Sequence, residues 1–370
     1  MKLKILLLCL LVLTGCVSGQ KEIVTGFPET LEATLLVGGA EPKHRYNISI
    51  SSFKLSALSK EISRSKADLL FAESNYMPVV LKNTLLKSRH WGAVRVLPEA
   101  DPSAELMVST EVIHSDAVHL HLSVNVVDSR GVVWIDKRYS DTSLDHRYMP
   151  GVIGDDDPFQ DLYNTIANDI YLRSMELSER QSSRILDTSL LRYAIALSPD
   201  VFESFLNESS TGSSTESPVQ NPAEVTLLAL PARNDPMYER VKKIRETEYR
   251  FIDVLDSQYQ LFYNKMQEAY PYWREYSFEL MVYNDKIESE GRLSKNKRGT
   301  WESLERVYKT YKEYKLNEDE LRELANSLTA EIKPTVAELD GHVFELVGSF
   351  SAQYNEWREI LAKLYQSERN

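Results

Sequence analysis

Cysteine is almost missing from this chain: its 370 residues include two, Cys9 and Cys16, both within the first sixteen positions. Nothing from residue 17 onward can build a disulfide framework or a thiolate zinc site, so core burial has to hold the fold together. Long apolar runs are missing too. The one clear run, Ile5 to Leu13, falls well short of the ~20 residues that a helix needs to cross a ~30 Å hydrocarbon core. Positive charge is in deficit, with 43 Lys and Arg against 55 Asp and Glu and a formal net charge of −12. A chain so acidic repels nucleic acid and anionic lipid surfaces. Glycine is sparse, at 14 residues, and forms neither a phosphate-cradling loop nor the Gly-x-Ser-x-Gly elbow of a serine nucleophile.

What is present begins at the amino terminus. Lys2 and Lys4 precede the apolar run, and the small residues Thr14 and Gly15 lead into Cys16. Charge, apolar core and small residues in that order read as a cleavable secretory leader. Leu13-Thr14-Gly15-Cys16 resembles the lipobox of bacterial lipoproteins. That resemblance implies removal of residues 1–15 and a lipid on Cys16 that attaches the chain to a membrane. Val17 stands where an aspartate is associated with inner-membrane retention, so the resemblance further implies the periplasmic face of the outer membrane. Loss of Lys2 and Lys4 with the leader takes the net charge two units further, to about −14.

The remainder divides by pattern into a tether and entry loop over 16–43, an α+β region over 44–206, a polar linker over 207–223 and a helical bundle over 224–370. Tyr46, Ile48 and Ile50 alternate as a half-buried strand, and 75–88 reads as a helix with Asn75 as its cap. Strands follow at Val94 and Val96, Leu106 to Val112, Leu120 to Val126 and Val133 to Tyr139, and then a helix from Pro158 to about Arg173. Face matching sets Val112 opposite Leu122 and Val108 opposite Val126, and it sets Val126 opposite Val133 and Val124 opposite Ile135. The linker, rich in serine, threonine and proline, has too little apolar surface to offset its ordering entropy. The strand, helix, strand, meander, helix order over 45–173 resembles the small domains of ABC-type transport auxiliary, curli-secretion and penicillin-binding-protein-activator lipoproteins. It implies an auxiliary role in an envelope machine and carries over no functional residue.

In the helical half, Ile252, Leu255, Tyr259, Phe262, Met266, Ala269 and Trp273 step by threes and fours, as do Trp301, Leu304, Tyr308 and Tyr311, and Leu321, Leu324, Leu328 and Ile332. Val336, Leu339, Val343, Leu346, Phe350, Trp357, Ile360 and Leu364 continue the pattern. This is the seam of an antiparallel bundle of three or four helices. Pro271, Gly291, Gly299 and Pro334 mark its candidate kinks and turns, and Asp235-Pro236 a helix start.

Few residues bear chemistry. His114, His119 and His121 crowd one hairpin. The expected register turns His114 inward and the other two outward, so they read as surface histidines and no metal is expected. Gly154 to Pro158 lacks the spacing of a calcium loop, and Asp157 reads instead as a helix cap. Val127, Val132 and Trp134 form an apolar cluster on the outer sheet face, and Tyr263 and Tyr270 lie off the helical seam. Those five are the candidate partner interface. The sequence thus points to an α+β protein without catalytic site or cofactor, lipid-anchored and bound to another envelope protein. The alternatives are the auxiliary transport role and an envelope hydrolase whose triad assembles in space.

Overall fold

The computed structural model describes residues 32–56, 64–116, 118–143, 157–208, 223–232, 234–290, 298–329, 334–339 and 342–369. The leader, Cys16 and most of the polar linker lie outside them. The architecture is α+β, a mixed sheet with helices followed by a long helical region.

Strand β1 (Ile48–Ser51) sits between β3 (Val94–Leu97) and β4 (Leu106–Ser115) and runs parallel to both. The two-residue β2 (Lys54–Leu55) extends that pairing along β4. β4, β5 (His119–Asp128) and β6 (Val133–Thr142) complete the sheet as an antiparallel meander, in the order β3-β1-β4-β5-β6. The first hairpin has the expected register as far as Val112, with Val112 opposite Leu122 and Val108 opposite Val126. The second does not. Val126 pairs with Ile135 and Val127 with Val133, leaving Trp134 as the extra residue of a bulge. Helices α1 (Arg64–Ser88) and α2 (Gln160–Met175) pack beside each other on the sheet. α1 starts eleven residues before the expected cap, and Asn75 lies inside it, its side-chain amide donating to the Phe71 carbonyl.

Beyond α2 the capping box of Ser178 and Gln181 starts α3 (Glu179–Leu197), and the short α4 (Pro199–Phe202) follows. β7 (Leu206–Glu208) and β8 (Val225–Leu227) pair across the two ends of the polar segment. The chain returning from that segment crosses the β5–β6 turn, where the Val225 amide donates to the Arg130 carbonyl. Gly131 has φ +84°, and a Cβ there would meet the Glu224 Cα at 2.6 Å, so both the turn and the close approach require glycine.

The helical half is a 55-residue helix α5 (Pro236–Glu290), then α6 (Arg298–Thr329) and α7 (Phe350–Arg369). Asp235 caps α5, accepting from the Met237 amide at 2.8 Å. The helix continues through Pro271. Between α6 and α7, the expected helical stretch 336–346 is instead the hairpin β9 (Thr335–Leu339) and β10 (His342–Leu346). Val336 and Val343, read as seam residues, are 67% and 68% exposed there.

The two halves share one hydrophobic core that runs from Tyr46 to Tyr365. One residue shows how they join. Asp256 of α5 accepts from the Val96 amide of the outermost strand at 2.8 Å and from Lys82 of α1 at 2.5 Å. An edge strand offers unpaired amides that invite further strands, and a carboxylate from the helical half occupies one of them.

Candidate functional site

The five residues expected to face a partner are mostly committed inside the protein. Val127 is fully buried, and Trp134 is 7% exposed, its ring edge-on to Tyr46 and its Nε1 donating to Asp128 at 2.9 Å. The bulge swings Trp134 inward and turns Val133 out. α3 closes this end of the sheet: Ser129 Oγ donates to the Ile185 carbonyl at 2.5 Å, and Arg192 Nε donates to the Ser129 carbonyl at 2.5 Å. Val132 is half-buried. Tyr270 is buried and donates its hydroxyl to Glu73, while Tyr263 stacks on Tyr76 with ring centroids 4.9 Å apart. The expected outer-face interface is therefore corrected: Val127, Trp134 and Tyr270 are core.

Two buried ionic networks tie α5 to the α+β half. In the first, Arg245 donates to Ser103 Oγ at 2.7 Å and pairs with Asp101 at 3.3 Å and Glu248 at 3.4 Å. Arg358 of α7 reaches the same two carboxylates. Burial pushes the Asp101 carboxyl up, but Arg245, Arg358 and the Ser103 hydrogen bonds outweigh it and hold it below its ordinary value. For Glu248 burial wins over the same two arginines, and its carboxyl is raised. In the second network Arg274 pairs with Asp157 at 3.2 Å, and Tyr76 donates to the same carboxylate at 3.2 Å. Asp157 also accepts from the Phe159 amide at 2.9 Å in the turn before α2 while anchoring α5. The helix itself begins at Gln160 with Phe159 at its N-cap, two residues beyond the cap expected at Asp157. Glu73 lies beside this network, and burial raises its carboxyl against the pull of Tyr270 and Arg274. These charges are paired and enclosed, which suits a structural lock.

A cleft of about 540 Å³ is lined by Tyr193, Ala196, Leu197, Asn355, Arg358, Glu359 and Ala362. It holds no serine, cysteine or histidine, so no nucleophile–base pair forms there.

One stripe of exposed apolar side chains lies farther along the helical hairpin. Among the described residues, α5 gives the core none past Trp273. From there it packs along α6, with the Tyr276 and Tyr314 rings stacked at 5.4 Å and Trp273 and Tyr314 at 6.4 Å. The α6 seam is Ser303, Val307, Thr310 and, nearer the core, Leu321 and Leu324, all buried. It is displaced by one residue from the expected Leu304, Tyr308 and Tyr311. Small side chains at Ser303 and Thr310 leave room for the α5 aromatics, Leu304 and Tyr308 are turned out, and the Tyr311 ring lies at the edge, 5.4 Å from that of Tyr276. Leu304, Tyr308 and Tyr311 are 39%, 57% and 37% exposed. Their spacing of four and three puts them in one stripe. The unevenness of the amphipathic pattern, with polar residues at seam spacing, is the sequence signal that could have located it.

The three histidines also depart from expectation. A bulge at Ile113 moves the end of β4 by one residue, so His114 faces His121 and Ser115 faces Leu120. His114, Asp116 and His119 then converge, with Asp116 Oδ2 3.0 Å from His114 Nε2 and 3.1 Å from His119 Nδ1.

No known protein family matches the chain. No curated protein matches it either. Among solved structures, a Xanthomonas campestris protein of the family DUF330 is 10% identical, with TM-score 0.24 over 43% of this chain and 99% of that one. A Helicobacter pylori protein described as a neuraminyllactose-binding hemagglutinin homolog is 16% identical, with TM-score 0.17 over 40% of this chain and 94% of that one. Likenesses this slight assign no function, so the site stands on its own geometry.

Proposed function

We propose that the chain is a lipid-anchored, non-catalytic binding protein of the bacterial envelope, which engages a protein partner through the α6 face of its helical hairpin. The exposed stripe Leu304, Tyr308 and Tyr311 carries this reading. It lies beside a buried seam of smaller residues; Tyr311 also meets the Tyr276 ring of α5 at 5.4 Å, which leaves Leu304 and Tyr308 as the outward part of the stripe. Aromatic groups set in a rigid helix are the usual anchors of protein interfaces. The leader and lipobox sequence supports the anchor, and tethering would raise the effective concentration of that stripe beside other envelope proteins.

The test is a photo-crosslinking residue at 308, incorporated in cells, against the same residue at Leu172 of α2, which is 53% exposed on the α+β half. A discrete protein adduct from position 308 and none from 172 is the expected result. Adducts of equal yield and pattern would end the α6 assignment. The anchor is tested separately by labelling with radioactive fatty acid: label on the wild type and none on Cys16→Ser is expected, and persistent label on the variant overturns it.

A further inference from the structure

We propose that the tip of the β4–β5 hairpin is a binding site for a zinc-class divalent cation, held by His114, Asp116 and His119 with His121 beside them. The nitrogen and oxygen donors of the first three all lie within 4.8 Å of one another. A tetrahedral ion with bonds of about 2.0–2.1 Å spaces its ligand atoms by about 3.3 Å. The two imidazole–carboxylate separations, 3.0 and 3.1 Å, are close to that edge length before any ion is introduced. Only the two imidazole nitrogens need to draw together, and both rings are exposed enough to turn, at 43% and 39%.

The carboxylate is pre-positioned. Asp116 Oδ1 accepts from the Val118 amide at 3.0 Å and the His119 amide at 2.7 Å, which fixes the side chain and leaves Oδ2 toward the rings. The histidines stand on the paired ends of two ten-residue strands. The Ile113 bulge brings them to one face, and bulges recur where a side chain must be re-aimed. The His121 ring lies 5.5 Å from the His114 ring, near enough to supply a fourth ligand by a small rotation, or to leave that position to water. Two imidazoles and one carboxylate suit zinc, copper or nickel, whereas calcium and magnesium prefer all-oxygen shells. The simpler account of the cluster is a carboxylate that accepts hydrogen bonds from two rings, and it predicts no stoichiometric metal.

The experiment titrates the full chain in detergent with zinc against a chromophoric chelator, and repeats the titration with cobalt to read its visible ligand-field bands. One zinc per chain is expected, bound at least tenfold more weakly by Asp116→Asn, which keeps the oxygen that accepts the two amides. The double variant His114→Ala, His119→Ala is expected to lose the site while keeping the wild-type circular dichroism in metal-free buffer. Should the double variant not fold, the Asp116→Asn comparison decides alone. Equal zinc binding by wild type and Asp116→Asn, or full binding by the folded double variant, overturns the site.

Discussion

Two stretches of the same helix meet different fates. Over 241–274, α5 is held from several sides: Asp256 pairs with an edge strand, and Arg245 and Arg274 sit within buried carboxylates and tyrosines of the α+β half. Beyond Arg274 the helix packs along α6, and the ion pair between them is more open than those of the buried networks: Glu279, 21% exposed, lies 3.5 Å from Arg306 of α6, which is 60% exposed. The hydrophobic pattern along the sequence hardly changes between the two. The difference lies in what each stretch is packed against, and burial sets the worth of each charge.

The largest effect expected from that comparison is at Arg245. Arg245→Ala leaves Asp101 and Glu248 buried and short of a partner, which should lower unfolding free energy by about 3–5 kcal/mol. The matching change on the distal hairpin, Arg306→Ala, should stay within about 0.5 kcal/mol, as for exposed pairs generally. Denaturant unfolding of both variants makes the measurement, and equal losses would erase the distinction between the two stretches. Trp134→Ala should also cost about 3–5 kcal/mol of folding stability, because the ring is core and its indole nitrogen is bonded to Asp128. A loss below about 0.5 kcal/mol would return Trp134 to the surface face that the sequence suggested.

Those numbers bear on how far the residues alone could be read. The class of fold, the three meander strands, the first hairpin register and the start of α5 follow from alternation, three-and-four spacing and capping chemistry. The two failures of strand register differ. At the first hairpin the Ile113 bulge alone shifts the later partners by one, whereas at the second the turn-side pair Val127 and Val133 is already one residue from expectation and the Trp134 bulge adds another. Neither Ile113 nor Trp134 carries a local mark of being the extra residue. The cost fell on the site, because one bulge buried Trp134 and the other gathered the histidines. The β9–β10 hairpin was legible and missed. Asp340-Gly341 between alternating residues is a strong hairpin signal, overridden by a helical period that happened to continue through Val336 and Val343. The pairing of Arg245 with Asp101 spans 144 positions, and no local pattern announces a contact so distant.

Two of the buried carboxylates, Asp101 and Glu73, differ in sign with pH. Asp101 has a lowered carboxyl, so its contribution is present above its ordinary value of 3.8 and is lost as pH falls through the folded value. Glu73 has a raised carboxyl, so its contribution is full below its ordinary value of 4.5 and is lost as pH rises through the folded value. Glu73→Gln keeps an oxygen for the Tyr270 hydroxyl and removes the buried charge. The variant should therefore gain on the wild type as pH rises above 4.5. Unfolding at pH 4 and pH 7 reads the difference, and a Glu73→Gln deficit that widens with pH would reverse the assignment.

The smallest effect on stability falls where the functional reading expects the largest effect on association. Tyr308 is 57% exposed, and Lys312 sits over its ring at 4.5 Å from the centroid, a contact worth little in water. Tyr308→Ala should therefore change unfolding free energy by no more than about 0.5 kcal/mol. If the stripe is an interface, the same truncation removes an aromatic anchor and should weaken partner capture by about 2 kcal/mol or more, roughly thirtyfold. Val307→Ala, one residue away, should do the reverse. Its side chain is 8% exposed in the α6 seam, so the truncation opens space within the hairpin while leaving the outward stripe in place. Measured side by side, unfolding and crosslinking yield separate the two roles. A Tyr308→Ala variant that unfolds early and still captures its partner would put Tyr308 in the seam, and the α6 face would no longer be the binding surface.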